Sequence, residues 1–87
     1  MTTLRRSPAA GWRRLPDRVL VLPDDGDLLT LTGTAVVVWE GIGEQRRLDD
    51  LVDELAARFD APRATVARDV DELVQRLAGA GAVDVGP

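Results

Sequence analysis

Asp24-Asp25-Gly26-Asp27-Leu28-Leu29-Thr30-Leu31-Thr32-Gly33-Thr34-Ala35-Val36-Val37-Val38-Trp39 decides the fold of this chain. It offers a tight turn, a short apolar strand, a polar break at Thr30–Gly33, and a hydrophobic block ending in tryptophan. The residues before it read as strand and turn; those beyond Ile42 read as amphipathic helix. The strand Asp27–Leu31 is therefore the last of a small sheet, at its junction with a helical half. At a sheet edge, its free N–H and C=O groups can pair with an incoming extended peptide.

Working backwards, Pro23-Asp24-Asp25-Gly26 is the strongest punctuation in the sequence and fits a hairpin loop. Val19-Leu20-Val21-Leu22 has no polar residue, which predicts a central strand buried on both faces. Leu15-Pro16-Asp17-Arg18 supplies a turn, because proline presets φ and aspartate suits the position after it. Trp12–Leu15 is the strand before that turn. Residues 1–10 show no periodicity and contain Ser7-Pro8, so they read as a flexible arm ahead of a domain spanning 11–85. In Asp27–Leu31, alternation puts Leu29 and Leu31 on one face and Leu28 and Thr30 on the other.

Thr34–Ile42 has two readings. Val36-Val37-Val38-Trp39 is β-branched and aromatic, and propensity favours a strand. The alternative is a helix capped by Thr30 or Thr32 and ended by Gly41 and Gly43. Beyond the polar connector Glu44–Arg47, Leu48, Leu51, Val52, Leu55 and Phe59 follow a helical stripe, with Asp49, Asp50, Asp53, Glu54 and Arg58 facing away. Asp49 and Asp50 in the first turn and Arg58 in the last match the helix dipole. Asp60-Ala61-Pro62 reads as cap, spacer and first-turn proline of a second helix. There Val66, Val70, Leu73, Val74 and Leu77 define the apolar face, and Gly79-Ala80-Gly81 stops it. Ala82–Val85 is a short apolar tail able to dock on the core. At about 100° per residue, Thr65, Asp69, Glu72 and Arg76 form a polar stripe along one flank, with Leu73 at its boundary.

Composition narrows the function. Eighty-seven residues make one domain, which buries about 60–65% of its unfolded surface and has no room for a deep cleft. There is no His, Cys, Tyr or Lys. The usual zinc ligands, nucleophiles and neutral-pH bases are thus missing, and neither metal nor cofactor nor independent catalysis is expected. Without cysteine there is no disulfide framework, in keeping with a cytoplasmic protein. No apolar run reaches a membrane span, and no apolar core follows Arg5-Arg6 to make a secretory signal. The net charge of −4 disfavours nucleic acid as main ligand.

The pattern Leu29-Thr30-x-Thr32-Gly33, an apolar run to Trp39, a glycine-containing connector, then Leu51-Val52-x-x-Leu55 and Asp69-Val70-x-x-Leu73-x-x-Leu77, resembles PqqD-like proteins. These are the recognition elements that bind leader peptides in pathways of ribosomally made, modified peptides. The resemblance covers about residues 11–85. It implies an α+β, winged helix-turn-helix-like fold, a three-stranded antiparallel sheet followed by three helices, with Gly33–Gly41 helical despite its valines. It implies a non-catalytic monomer or weak dimer whose third strand accepts the leader as an added antiparallel strand against the last helix. The peptide-binding positions carried over are Leu28, Leu29, Thr30 and Leu31 on the strand, and Asp69, Glu72, Leu73 and Arg76 on the helix. The implied partners are a precursor peptide and a modifying enzyme or leader peptidase, as in lasso-peptide or radical-SAM pathways. Many relatives carry Asn where Thr30 stands, and an aromatic where this chain has Leu28. A winged-helix DNA-binding regulator and a structural subunit without peptide ligand are the alternative functions. Against the first, Pro62–Ala78 carries Arg63, Arg68 and Arg76 balanced by Asp69, Asp71 and Glu72, where a recognition helix is basic.

Overall fold

In the computed structural model, which describes Met1–Pro87, the chain opens with strand β1 (Thr3–Arg6), followed by β2 (Gly11–Arg14) and β3 (Val19–Leu22). A short β4 (Leu29–Leu31) leads into helix α1 (Thr34–Ile42) and a two-residue β5 (Arg46–Arg47). Helices α2 (Leu48–Phe59) and α3 (Arg63–Gly79) and a last strand β6 (Val83–Gly86) complete it. The expected α+β fold stands: an antiparallel β2-β3-β4 sheet followed by three helices. A second antiparallel sheet, ordered β5-β1-β6, is added to it.

That second sheet corrects the reading of residues 1–10 as a flexible arm. Strand β1 is its middle strand, pairing β6 from Thr3↔Gly86 to Arg6↔Val83 and β5 through Thr3↔Arg47 and Leu4↔Arg46. Leu4 is fully buried. Arg5 is bonded to Asp84 at 2.7 Å. The Arg6 guanidinium donates to the Trp39 carbonyl from Nε at 3.2 Å and Nη2 at 2.9 Å. Partial burial holds the Arg6 pKa below its ordinary value, opposed by the charges of Glu40 and Glu44. The apolar tail after Gly81 docks as expected, and does so as strand β6.

Strand β3 is central in the β2-β3-β4 sheet, as its sequence predicts, but only one face is buried. Val19 and Val21 are fully enclosed, Leu20 is half-buried, and Leu22 is exposed. The core lies on one side of this sheet only. The β2–β3 hairpin closes through the Leu15 N–H donating to the Arg18 carbonyl at 2.8 Å, with Pro16 and Asp17 as the loop.

Helix α1 settles the two readings of the valine block. Val36, Val38, Trp39 and Ile42 share the buried face, and packing overrides intrinsic β propensity. No threonine caps it. Its first turn is closed by backbone bonds, Ala35 N–H to Thr32 O and Val36 N–H to Gly33 O. The residues bracketing the helix are Gly33 (φ 59°, ψ −130°) and Gly43 (φ 60°, ψ −142°), a backbone region essentially closed to residues with a Cβ. Gly33 therefore takes the N-cap position where a threonine was expected, and Gly43 ends the helix as expected, with Gly41 inside its last turn.

Helices α2 and α3 bury the faces their periodicity predicts: Leu51, Val52 and Leu55 on the first, Val70, Leu73, Val74 and Leu77 on the second. Asp60 is not the cap of α3. It closes α2 in the left-handed region (φ 49°), and Pro62 takes the cap position of α3. Aspartate tolerates that conformation better than most residues. Arg63 at the start of α3 bonds Asp53 at 2.6 Å and reaches Asp49 at 3.5 Å, tying the two helices together.

Seventeen apolar residues form one continuous core, Trp39 the largest among those fully buried. Leu4→Ala is expected to cost about 2–5 kcal/mol and Trp39→Ala about 3–5 kcal/mol, each a large fraction of the stability of so small a domain. Urea unfolding followed by circular dichroism checks both. An unchanged midpoint for Leu4→Ala would mean that the N-terminal strand is not part of the folded unit.

Candidate functional site

Strand β4 pairs with β3 on one side, through Val19↔Leu31, Leu20↔Thr30 and Val21↔Leu29, and with no strand on the other. The antiparallel alternation gives the direction of each backbone group. Leu15 and Arg18 form a hydrogen-bonded pair at the hairpin. Two residues further along each strand the bonding repeats, so Arg13↔Leu20 is bonded and Arg14↔Val19 is not. Val19 and Val21 therefore turn their N–H and C=O toward β4 and meet Leu31 and Leu29. Thr30 is left with its N–H and C=O directed at the open edge.

The side chains divide the same way. Leu31 is buried and Leu29 packs half-buried against the core. Thr30 is exposed, and Leu28, just outside the strand, is 57% exposed. Of the four strand positions singled out from sequence, Leu28 and Thr30 face outward, while Leu29 and Leu31 are committed to β3 and the core.

Where β4 ends, a groove begins. It has a volume of about 910 Å³. Thr32 lines it together with Thr34, Ala35 and Val38 of α1, Leu55 and Phe59 of α2, and a long face of α3. All four helix positions expected from sequence, Asp69, Glu72, Leu73 and Arg76, line this groove. Leu28–Leu31 do not line it; they lie on the strand leading into it. Leu73 is nearly buried and belongs to the floor, whereas Asp69, Glu72 and Arg76 are exposed at the rim. Sequence reasoning missed Phe59, which it assigned to the core stripe of α2. Phe59, the last residue of α2, is 47% exposed. The adjoining pair of a helix-final aromatic and a residue suited to left-handed backbone was the available signal.

The rim is electrically uneven. Asp69, Asp71 and Glu72 oppose a single cation, Arg76, among the lining residues. Asp69 has Arg68 at 3.8 Å, while Asp71, Glu72 and Arg76 take part in no ion pair. No group of three or more His, Cys, Asp or Glu side chains stands close enough to hold a metal ion. No helix is long and apolar enough to cross a membrane.

The family model described as Coenzyme PQQ synthesis protein D (PqqD) matches residues 17–83, from the β2–β3 turn to the start of β6. No curated protein and no solved structure matches the chain significantly.

The two faces of β4 are separable by proline. Leu29→Pro removes an N–H that bonds β3 and is expected to lower stability by about 1–3 kcal/mol more than Thr30→Pro, whose lost N–H points to solvent. Paired urea titrations check this. Equal losses would contradict the outward orientation of the Thr30 backbone.

Proposed function

The chain belongs to the PqqD family, and from that membership we propose that it is a non-catalytic accessory protein which captures the leader segment of a precursor peptide. The precursor adds as an antiparallel strand to β4, lies against α3, and is presented to a modifying enzyme or leader peptidase. The setting is the synthesis of a ribosomally made, modified peptide such as the precursor of a quinone coenzyme, in the cytoplasm where the precursor is translated. One observation carries this reading: an edge strand, paired on one side only, whose outward backbone at Thr30 runs directly into a groove along α3. Main-chain pairing supplies affinity for any extended chain, and the adjoining groove supplies selectivity.

The charge arrangement of α3 speaks against a DNA-binding role. Arg63 is engaged by Asp53 and Asp49, and Arg68 lies beside Asp69. That leaves Arg76, in a groove where acids outnumber it. A duplex needs several free cations on one face.

The test is a search of the neighbouring reading frames for a short precursor peptide, followed by calorimetric titration with its leader segment. Thr30→Pro, which removes the outward N–H, is expected to weaken binding about tenfold while the protein stays folded. Arg76→Glu is expected to leave the unfolding midpoint nearly unchanged and weaken binding severalfold, about 1 kcal/mol, with a loss that shrinks at high salt. Full affinity in Thr30→Pro would exclude strand addition at β4. Tight retention of duplex DNA in a low-salt gel shift would favour the regulator instead.

A further inference from the structure

With the antiparallel addition proposed above, the geometry around β4 sets which way a captured peptide runs along α3. Gly26, in the loop between β3 and β4, sits against the C-terminal end of α3: a Cβ added there would stand 3.5 Å from the Ala80 carbonyl oxygen. Across the same contact, a Cβ at Gly81 would stand 3.8 Å from Pro23. Strand β4 thus starts near the end of α3. It ends at Leu31, and Thr32 just beyond it lines the groove whose α3 wall runs from Val66 to Arg76, all of it N-terminal to Ala80. β4 and α3 run in opposite senses. A strand added antiparallel to β4 therefore runs along α3 from its first turns to its last.

Along that path the lining changes character in a fixed order. First come Phe59, Leu55 and Val66, an apolar end with one aromatic face half open to solvent. Next come Asp69, Asp71 and Glu72, all anionic and exposed above the apolar Val70 and Leu73, and last the cation Arg76. The step from Asp69 to Arg76 spans about 10 Å of helix, or about three residues of extended chain.

We infer that, granted strand addition at β4, this groove selects an extended peptide by polarity and order. An apolar or aromatic anchor comes nearest the peptide's N-terminus, then a Lys or Arg, then an Asp or Glu two to four residues further on. Each part has its complement in the lining: the anchor fills the Phe59–Val66 end, the cation meets Asp69 and Glu72, and the acid meets Arg76. A peptide with the same residues in reverse sets its acid against Asp69 and Glu72 and its cation against Arg76. Repulsion at both positions then discriminates between partners of equal composition.

The probe is a displayed library of random twelve-residue linear peptides, panned on the full-length chain, with the strongest selected peptide then synthesised and titrated. The expected consensus is apolar–basic–acidic in that order. Replacing the peptide's acid by Lys should weaken binding to the wild type at least fivefold, and Arg76→Glu should reverse the preference. Asp69→Lys combined with Glu72→Lys should do the same for the peptide's basic position. A reversed or absent charge order, or charge swaps that fail to compensate, overturns the inference. If such peptides still lose binding with Thr30→Pro, strand addition survives and only the proposed order fails. Selection of no peptide, or of peptides indifferent to Thr30→Pro, overturns both.

Discussion

The carbonyl of Trp39, at the C-terminal end of α1, accepts two hydrogen bonds from Arg6, and most of the architecture converges on that contact. The same guanidinium lies 4.5 Å from the centre of the Trp12 ring and 5.2 Å from that of Trp39. The two rings meet edge to face at 5.8 Å. One cation thus joins the middle strand of one sheet, the outer strand of the other, and the helix between them. It also supplies positive charge where the helix dipole is negative. Trp39 is fully buried with its indole N–H unpaired, a desolvation cost that the packing and cation–π contacts around it must outweigh.

The parts of this fold that sequence reveals are those whose cause is local. The stripes of α2 and α3 repeat within one helix, and proline and glycine mark both turns of the β2-β3-β4 sheet. The part that sequence conceals is the β5-β1-β6 sheet. Its partners are separated by most of the chain, as in Arg5 and Asp84, 79 residues apart, and a four-residue strand with two arginines has no period to detect. Helix α1 was legible only through its family pattern, because Val36-Val37-Val38 carries the opposite intrinsic signal and burial decides between them. Within the candidate site, the spacing of Asp69, Glu72 and Arg76 exposed the groove wall. Phe59 stayed hidden because its periodic position matches the buried stripe, although as the last residue of α2 it stands half in solvent.

An open strand edge invites unwanted pairing as readily as useful pairing. Strand β4 limits that risk by being three residues long, with Asp27 before it and the backward bend at Gly33 after it. So short an edge directs only Thr30 fully outward, too little to hold a stray strand unaided. Side-chain contacts in the groove must supply the rest of any lasting attachment. Under the proposed function, generic backbone affinity and chemical selectivity are divided between two adjacent elements.

The pairing of β1 with β6 brings Thr3 opposite Gly86, and the Thr3 hydroxyl donates to the Pro87 carbonyl at 3.3 Å. Both ends of the folded unit therefore emerge side by side. A domain with that geometry is portable: it can be spliced into a surface loop of a larger enzyme, strung in tandem, or circularly rejoined, with little demand on the host backbone to span a gap. Recombination between reading frames can move such a unit from one host chain to another without rebuilding its fold.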